Sequence, residues 1–349
     1  MSPKSAKSDR PVMERLSSML QEEYTLKKEI GRGGMSVVYL AKDLRHDRLV
    51  AVKLVQPEIT TASSAERFLR EIQITARLQH PHILPLLDSG ASEDLLYYIM
   101  PHVDGESLRD RLSAADRLSF EEAVGITQQV AAALQHAHDN GIIHHDVKPE
   151  NILLSAGLAV LSDFGVASAI GDDENDSTTR FTVGTPAYMA PEQAEREKVD
   201  HRADQYSLAC VLFEMLTGAP PYFAGTVGET IQRRLTEPVP RVSDVRPDLP
   251  AELEEIFERA LARKPRNRYE SVEELSQALD GLPPPVGQEP ARVKPVVARV
   301  HNSPGMAKQA TLSPPKDLGR RLLVLGGILS LIVILLLTLF GDAWWLGGG

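Results

Sequence analysis

His144-His145-Asp146-Val147-Lys148-Pro149-Glu150-Asn151, followed by Asp163-Phe164-Gly165, is the stretch on which the reading turns. His144, His145 and Asp146 are all metal-ligand types, but three adjacent residues cannot easily converge on one ion. Working outward, Gly31-Arg32-Gly33-Gly34-Met35-Ser36-Val37-Val38 lies upstream between two predicted strands, where missing side chains let backbone amides approach phosphate oxygens. Alone, such a turn more often just reverses a hairpin. Here it is followed by Ala51-Val52-Lys53 on the next predicted strand and by Glu71 on an amphipathic helix, while Ala190-Pro191-Glu192 follows downstream. An isolated charged residue is usually a solvated surface group, and the fixed order of these blocks argues against that here.

Taken together and in this order, the blocks resemble the eukaryotic-type protein kinase superfamily, in particular the bacterial transmembrane serine/threonine-protein kinases, over about Tyr24 to Leu279. The resemblance implies an α+β, two-lobed protein kinase fold that uses ATP with Mg²⁺, or Mn²⁺ as an alternative. It implies that Lys53 pairs phosphates and is oriented by Glu71. Glu66 is the rival on the same helix, but Glu71 sits beside Ile72 on the apolar side. Asp146 would accept or orient the substrate hydroxyl proton, Lys148 would contact the γ-phosphate, and Asn151 and Asp163 would hold the metal. Such chemistry stacks negative oxygens, which cations and a lysine neutralise. The ATP site would comprise Ile30, Gly31, Arg32, Gly33, Gly34, Met35, Ser36, Val38, Ala51, Lys53, Met100, Pro101, Val103 and Leu153. Pro101 lacks an N–H but keeps a carbonyl for the adenine amino group, and Val103 supplies both groups. By the same resemblance His144 braces the Asp-Phe-Gly turn, Asp204 tethers the catalytic loop, and Arg268 pairs with Glu192.

Two departures from the family pattern matter. Ser36 replaces the third glycine, which keeps the backbone amide. His145 replaces the arginine that clasps an activation-loop phosphate in the family, and histidine is a weaker, pH-dependent cation. Thr178, Thr179 and Thr182 are the candidate phosphosites, and activity is expected to depend less on their modification. Thr185 is expected to seat the substrate residue beside Asp146 and Lys148.

Segments rich in β-branched residues come first, at Tyr24–Gly31, Val37–Ala41, Leu49–Val55, Ile83–Asp88 and Leu95–Met100, with one helix, Ala65–Leu78, among them. From Leu108 onward the pattern is mainly helical, with candidates at Phe120–His138, Asp200–Thr217, Val227–Leu235, Ala251–Arg263 and Ser271–Leu279. The expected organisation is an N-terminal polar segment over 1–23, the kinase domain over 24–282 and a Pro-rich juxtamembrane linker over 283–321. A transmembrane helix over 322–340 and a short extracytoplasmic tail over 341–349 complete it. The run Leu322–Phe340 is about 19 residues long, apolar and uncharged, which suits a hydrocarbon core. Lys316, Arg320 and Arg321 precede it, which places the kinase domain on the cytoplasmic side of the cell membrane.

A net charge of -10 argues against nucleic-acid partners. The single Cys210, in an apolar run, excludes an intramolecular disulfide and reads as a buried small hydrophobe. Partners are expected to be proteins with Ser/Thr acceptors, the membrane, and a second copy of the chain as a homodimer. Two other readings compete with this one. A pseudokinase scaffold would lack one of Lys53, Asp146 and Asp163, and a small-molecule phosphotransferase would lack the Gly184–Glu192 platform.

Overall fold

A computed structural model describes residues 12–34, 36–55, 62–92, 95–164, 186–195, 197–283 and 285. All belong to the first of two units, Met1–Ala291; the second, Arg292–Gly349, lies outside the described residues, and with it the apolar run 322–340. Among the described residues no helix is long and apolar enough to cross a membrane.

Part of the expected polar segment 1–23 is structured. Val12–Leu20 forms helix α1, with Leu16 and Leu20 only 0 and 4% exposed. Polar neighbours hide this one-sided pattern from a composition-based reading. Both leucines pack on one face of a five-stranded antiparallel sheet made of β1 (Tyr24–Arg32), β2 (Ser36–Asp43), β3 (Arg48–Val55), β4 (Asp88–Ser92) and β5 (Leu95–Pro101), ordered β1-β2-β3-β5-β4. Strand period 2 sorts the side chains. Val37, Tyr39 and Ala41 of β2 join Val50, Val52 and Leu54 of β3 on the α1 face. The opposite face carries Val38, Ala51, Lys53, Tyr98 and Met100, because Val38 pairs with Lys53, Lys53 with Tyr98, and Ala51 with Met100.

Helix α2 (Ala62–Thr75) starts and ends three residues earlier than its pattern suggested, and sets Phe68 and Ile72 on Val55, Leu96 and Tyr98. The expected strand Ile83–Asp88 does not form as such, since Pro85 has no N–H to donate. Leu84 N–H donates instead to the Leu161 carbonyl at 2.9 Å, and β4 begins at Asp88. These bonds tie the segment to the second lobe.

That lobe is built on α3 (Leu108–Ala115), α4 (Phe120–Asp139), α5 (Pro191–Ala194), α6 (Arg202–Thr217), α7 (Val227–Thr236), α8 (Leu253–Ala260) and α9 (Val272–Asp280). Helix α6 is buried along Ala203–Leu216 and packs against α4, α8 and α9, and its buried Asp204, Gln205, Ser207 and Glu214 are all hydrogen-bonded. A small sheet of β6 (Glu106–Ser107), β7 (Ile152–Ser155) and β8 (Leu158–Leu161) lies between the lobe's helices and the connector. The connector ends at Gly105, where a Cβ would overlap the Leu154 carbonyl, so only glycine lets the two backbones approach.

Candidate active site

The loop His144–Asn151 is anchored from α6. The carboxylate of Asp204, 1% exposed, accepts the backbone N–H of His144 through Oδ2 and that of His145 through Oδ1, both at 2.8 Å. Its Oδ2 also faces His138 Nε2 at 2.8 Å. These contacts hold His145 at a φ of 67°, a backbone conformation that few non-glycine residues adopt unaided. Burial opposes ionisation of Asp204, but the bond and charge of His138 and the nearby His144 and His145 outweigh it, so its pKa lies below the ordinary aspartate value.

The tautomer of His144 follows from its two partners. Nε2 lies 2.8 Å from the Ser162 carbonyl and must donate, while Nδ1 accepts the Asp146 N–H at 3.2 Å. The ring also meets Phe164 edge-on at 4.6 Å. His144 thus joins the loop to the Asp163-Phe164 turn through hydrogen bonds and packing. Beyond it, Asp146 Oδ2 receives Lys148 Nζ at 2.5 Å and Asn151 Nδ2 at 3.1 Å, and the same Nδ2 donates to the Asp146 carbonyl at 2.8 Å. Both hydrogen bonds of the Asn151 amide, among the described residues, come from its nitrogen. Its Oδ1 keeps its lone pairs for a cation.

Lys53 reaches across from the first lobe. Its Nζ donates to Asp163 Oδ2 at 2.6 Å, and the Tyr98 hydroxyl donates to Asp163 Oδ1. Burial opposes ionisation of Asp163, but the charge and bond of Lys53 and the bond from Tyr98 prevail and keep its pKa below the ordinary value. The structure does not bring Glu71 to Lys53: among the described residues, the ion pair of Lys53 is with Asp163. Glu71 is half-buried on α2. A small recess, open to solvent, runs from Ile72 and Thr75 of α2 past Leu86 and Met100 to Asp163 and Phe164.

Upstream, Gly33 N–H closes the β1–β2 turn on the Ser36 carbonyl at 2.8 Å. Among the described residues, a Cβ at Gly34 would meet nothing within 4 Å, and at Gly31 and Gly33 only ordinary contacts at 3.8 and 3.9 Å. The protein's own packing therefore does not demand these glycines, which suits a loop that must lie close to something from outside. Arg32 is exposed and bonded to Glu29 at 2.6 Å, and Ile30 is 42% exposed. Ala51 and Met100 face each other on the sheet, Pro101 pairs with Val50 at the strand end, and Val103 follows in the connector. Leu153 is half-buried on β7 in the other lobe. Met35, Thr178, Thr179, Thr182 and Thr185 lie outside the described residues.

This order of elements, with Lys53 on β3 and the Asp146, Asn151 and Asp163 carriers on the loops around β7 and β8, agrees with the protein kinase domain model that matches residues 24–279. The chain belongs to the protein kinase family. It is 43% identical over 258 residues to the serine/threonine-protein kinase PknD of Mycobacterium tuberculosis, covering 73% of this chain and 39% of that protein. PknH of Mycobacterium bovis is 42% identical over 257 residues, covering 73% and 43%. PknB of Mycobacterium tuberculosis is 41% identical over 279 residues, covering 76% and 44%. The chain thus matches less than half the length of each of these relatives.

Two networks of the kinase domain secure the ground below the loop. Arg268 donates to Glu192 at 2.6 and 2.7 Å, both side chains being at most 1% exposed, and also to the carbonyls of Arg202, Ala262 and Arg263. Arg109 donates to Glu150 at 2.9 Å, to Glu214 at 2.8 Å and to the Tyr188 hydroxyl, which itself donates to Glu214 at 2.5 Å. The resemblance had pointed to Arg268 and Glu192. Tyr98, His138 and the Arg109 network had not been anticipated, because their partners lie 26 to 105 residues away in sequence.

Proposed function

We propose that this chain is a serine/threonine-protein kinase that transfers the γ-phosphate of ATP to serine and threonine hydroxyls of proteins, itself included, in signalling at a membrane. The observation that carries the reading is the convergence of Lys53 and Asp163 from different lobes above the loop that holds Asp146, Lys148 and Asn151 in contact. The relatives, which are serine/threonine-protein kinases by name, point the same way.

Asp146 is placed to orient the acceptor hydroxyl and take its proton, since Asn151 fixes both its main chain and its carboxylate. Lys148, beside Asp146, offers a positive charge where the transferred group gathers negative oxygens. Lys53 is the cation for the phosphates that stay behind, once it leaves Asp163. Asp163 and Asn151 are hard oxygen donors of the kind a divalent ion takes, so the residues fit Mg²⁺, with Mn²⁺ as a substitute. That ion, when bound, neutralises phosphate charge and orients the reacting phosphoryl group. Thr185 seats the acceptor, and Thr178, Thr179 and Thr182 are autophosphorylation sites in this reading.

Residues 322–340 anchor the chain in the cell membrane with the kinase domain in the cytoplasm, and a second copy of the chain is a partner in autophosphorylation. Labelled γ-phosphate transfer in Mg²⁺ tests the activity, with Asp146→Asn as control. Phosphoserine or phosphothreonine made only by the unmodified chain supports the proposal. Equal labelling by both, or nucleotide binding without transfer, would leave a scaffold. Membrane fractionation of the full chain against one ending at Leu282 tests the anchor: equal recovery in the soluble fraction would refute it.

A further inference from the structure

Asp163 offers two carboxylate oxygens, and both are taken from inside the protein. Oδ2 holds Lys53 at 2.6 Å and Oδ1 holds the Tyr98 hydroxyl. Tyr98 has little freedom to turn elsewhere. It is 3% exposed, stands opposite Lys53 in the β3–β5 register, and packs on the Phe68 ring at 6.2 Å. Its ring centre is 5.9 Å from Lys53 Nζ, at the outer range of a cation–π contact, so one side chain touches both members of the pair. A carboxylate paired with Lys53 can only accept, so the phenol is the donor of this contact. A donor aimed at a carboxylate withdraws electron density that a hard cation would otherwise receive.

We propose that Tyr98 is a positioning residue that sets the cation affinity of the site: its hydroxyl holds Asp163 Oδ1 in competition with the divalent metal, and keeps the metal-free carboxylate turned toward Lys53. The proposal rests on the kinase reading above. A purely structural Tyr98 would, when altered, weaken every ligand alike. A competing donor, when removed, tightens the metal selectively.

The test is calorimetric titration of the full chain, in detergent, with a non-hydrolysable ATP analogue at graded Mg²⁺. Tyr98→Phe keeps the ring and its packing on Phe68 but removes the donor. The Mg²⁺ concentration for half-maximal binding should fall on the order of tenfold, the worth of one hydrogen bond to a charged group, while analogue affinity without metal stays unchanged. Tyr98→Met repeats the test without the ring and should shift the metal dependence the same way. In the wild-type chain carrying ring-labelled tyrosine, Mg²⁺ should move the Tyr98 NMR signal as the hydroxyl gives up Oδ1, a reading that needs no variant to fold. Unchanged or weakened metal dependence in the variants, or an unmoved tyrosine signal, would overturn the proposal. Absence of any Mg²⁺-dependent analogue binding by the wild-type chain would instead overturn the kinase reading.

Discussion

Arg268→Met puts the largest calculable strain on the fold. The guanidinium has five N–H donors, and its bonds account for all of them: two to Glu192, and one each to the carbonyls of Arg202, Ala262 and Arg263. Methionine fills much of the volume but donates nothing. Glu192, 1% exposed, is then left as a buried carboxylate without its cation, a change that costs about 3–5 kcal/mol. For a domain of this size each kcal/mol moves the melting temperature by about 2–4 °C, so a fall of about 10 °C is expected. The double variant Arg268→Met with Glu192→Met removes the uncompensated charge as well and should recover at least about 1 kcal/mol of that loss through coupling between the two sites. Thermal unfolding of the four members of the cycle provides the measurement. A fall below about 2 °C in the single variant, or a double variant less stable than Arg268→Met, would refute the reasoning.

Three further outcomes follow from single positions. Leu16→Ala in α1 should cost about 2–4 kcal/mol in denaturant unfolding, because Leu16 is fully buried against the sheet; a loss under about 0.5 kcal/mol would mean that α1 is only loosely held. The folded pKa of Asp204 is depressed, so its contribution to stability is present above the unfolded value of 3.8 and is lost as pH falls through the folded value. Asp204→Asn should therefore lower stability at neutral pH and flatten the decline below about pH 4, and a parallel acid limb in stability-versus-pH curves would contradict this. His145→Arg should make activity more sensitive to phosphatase treatment by restoring a permanent cation beside Asp146, and equal sensitivity in both enzymes would count against the role given to His145.

What the sequence made legible were residues whose chemistry is unusual for their place: glycines together in a turn, a lysine inside an apolar strand, carboxylates directly before the apolar Val147 and Phe164. Such residues conflict with the bland expectation for their position, and so point to a site. Tyr98 gives no such conflict. In Leu95-Leu96-Tyr97-Tyr98-Ile99-Met100 a tyrosine is an ordinary strand residue, and only the register opposite Lys53 shows where its hydroxyl ends. The same holds for Lys53 and Glu71. Pairing the two requires the position of α2 against the sheet, a tertiary quantity that periodicity does not contain. The short β7 and β8 and the helix α1 were missed because a few residues carry too little pattern to separate from their surroundings.

The two halves of the site differ in how firmly they are held, and this bears on what activation must change. Asp146 belongs to a loop fixed by Asp204, His144 and Asn151, whose bonds all lie within the helical lobe. Lys53 belongs to the sheet, and it meets that lobe at Asp163. Loading the site must therefore rearrange the Lys53–Asp163–Tyr98 cluster while the Asp146 loop can stay as it is. A buried pair of this kind is costly to break unless new charges replace the old ones at once. In the proposed function, phosphate oxygens for Lys53 and a cation for Asp163 are such replacements, each satisfying the partner that the other removes. On that proposal the cluster favours binding nucleotide and metal together over binding either alone.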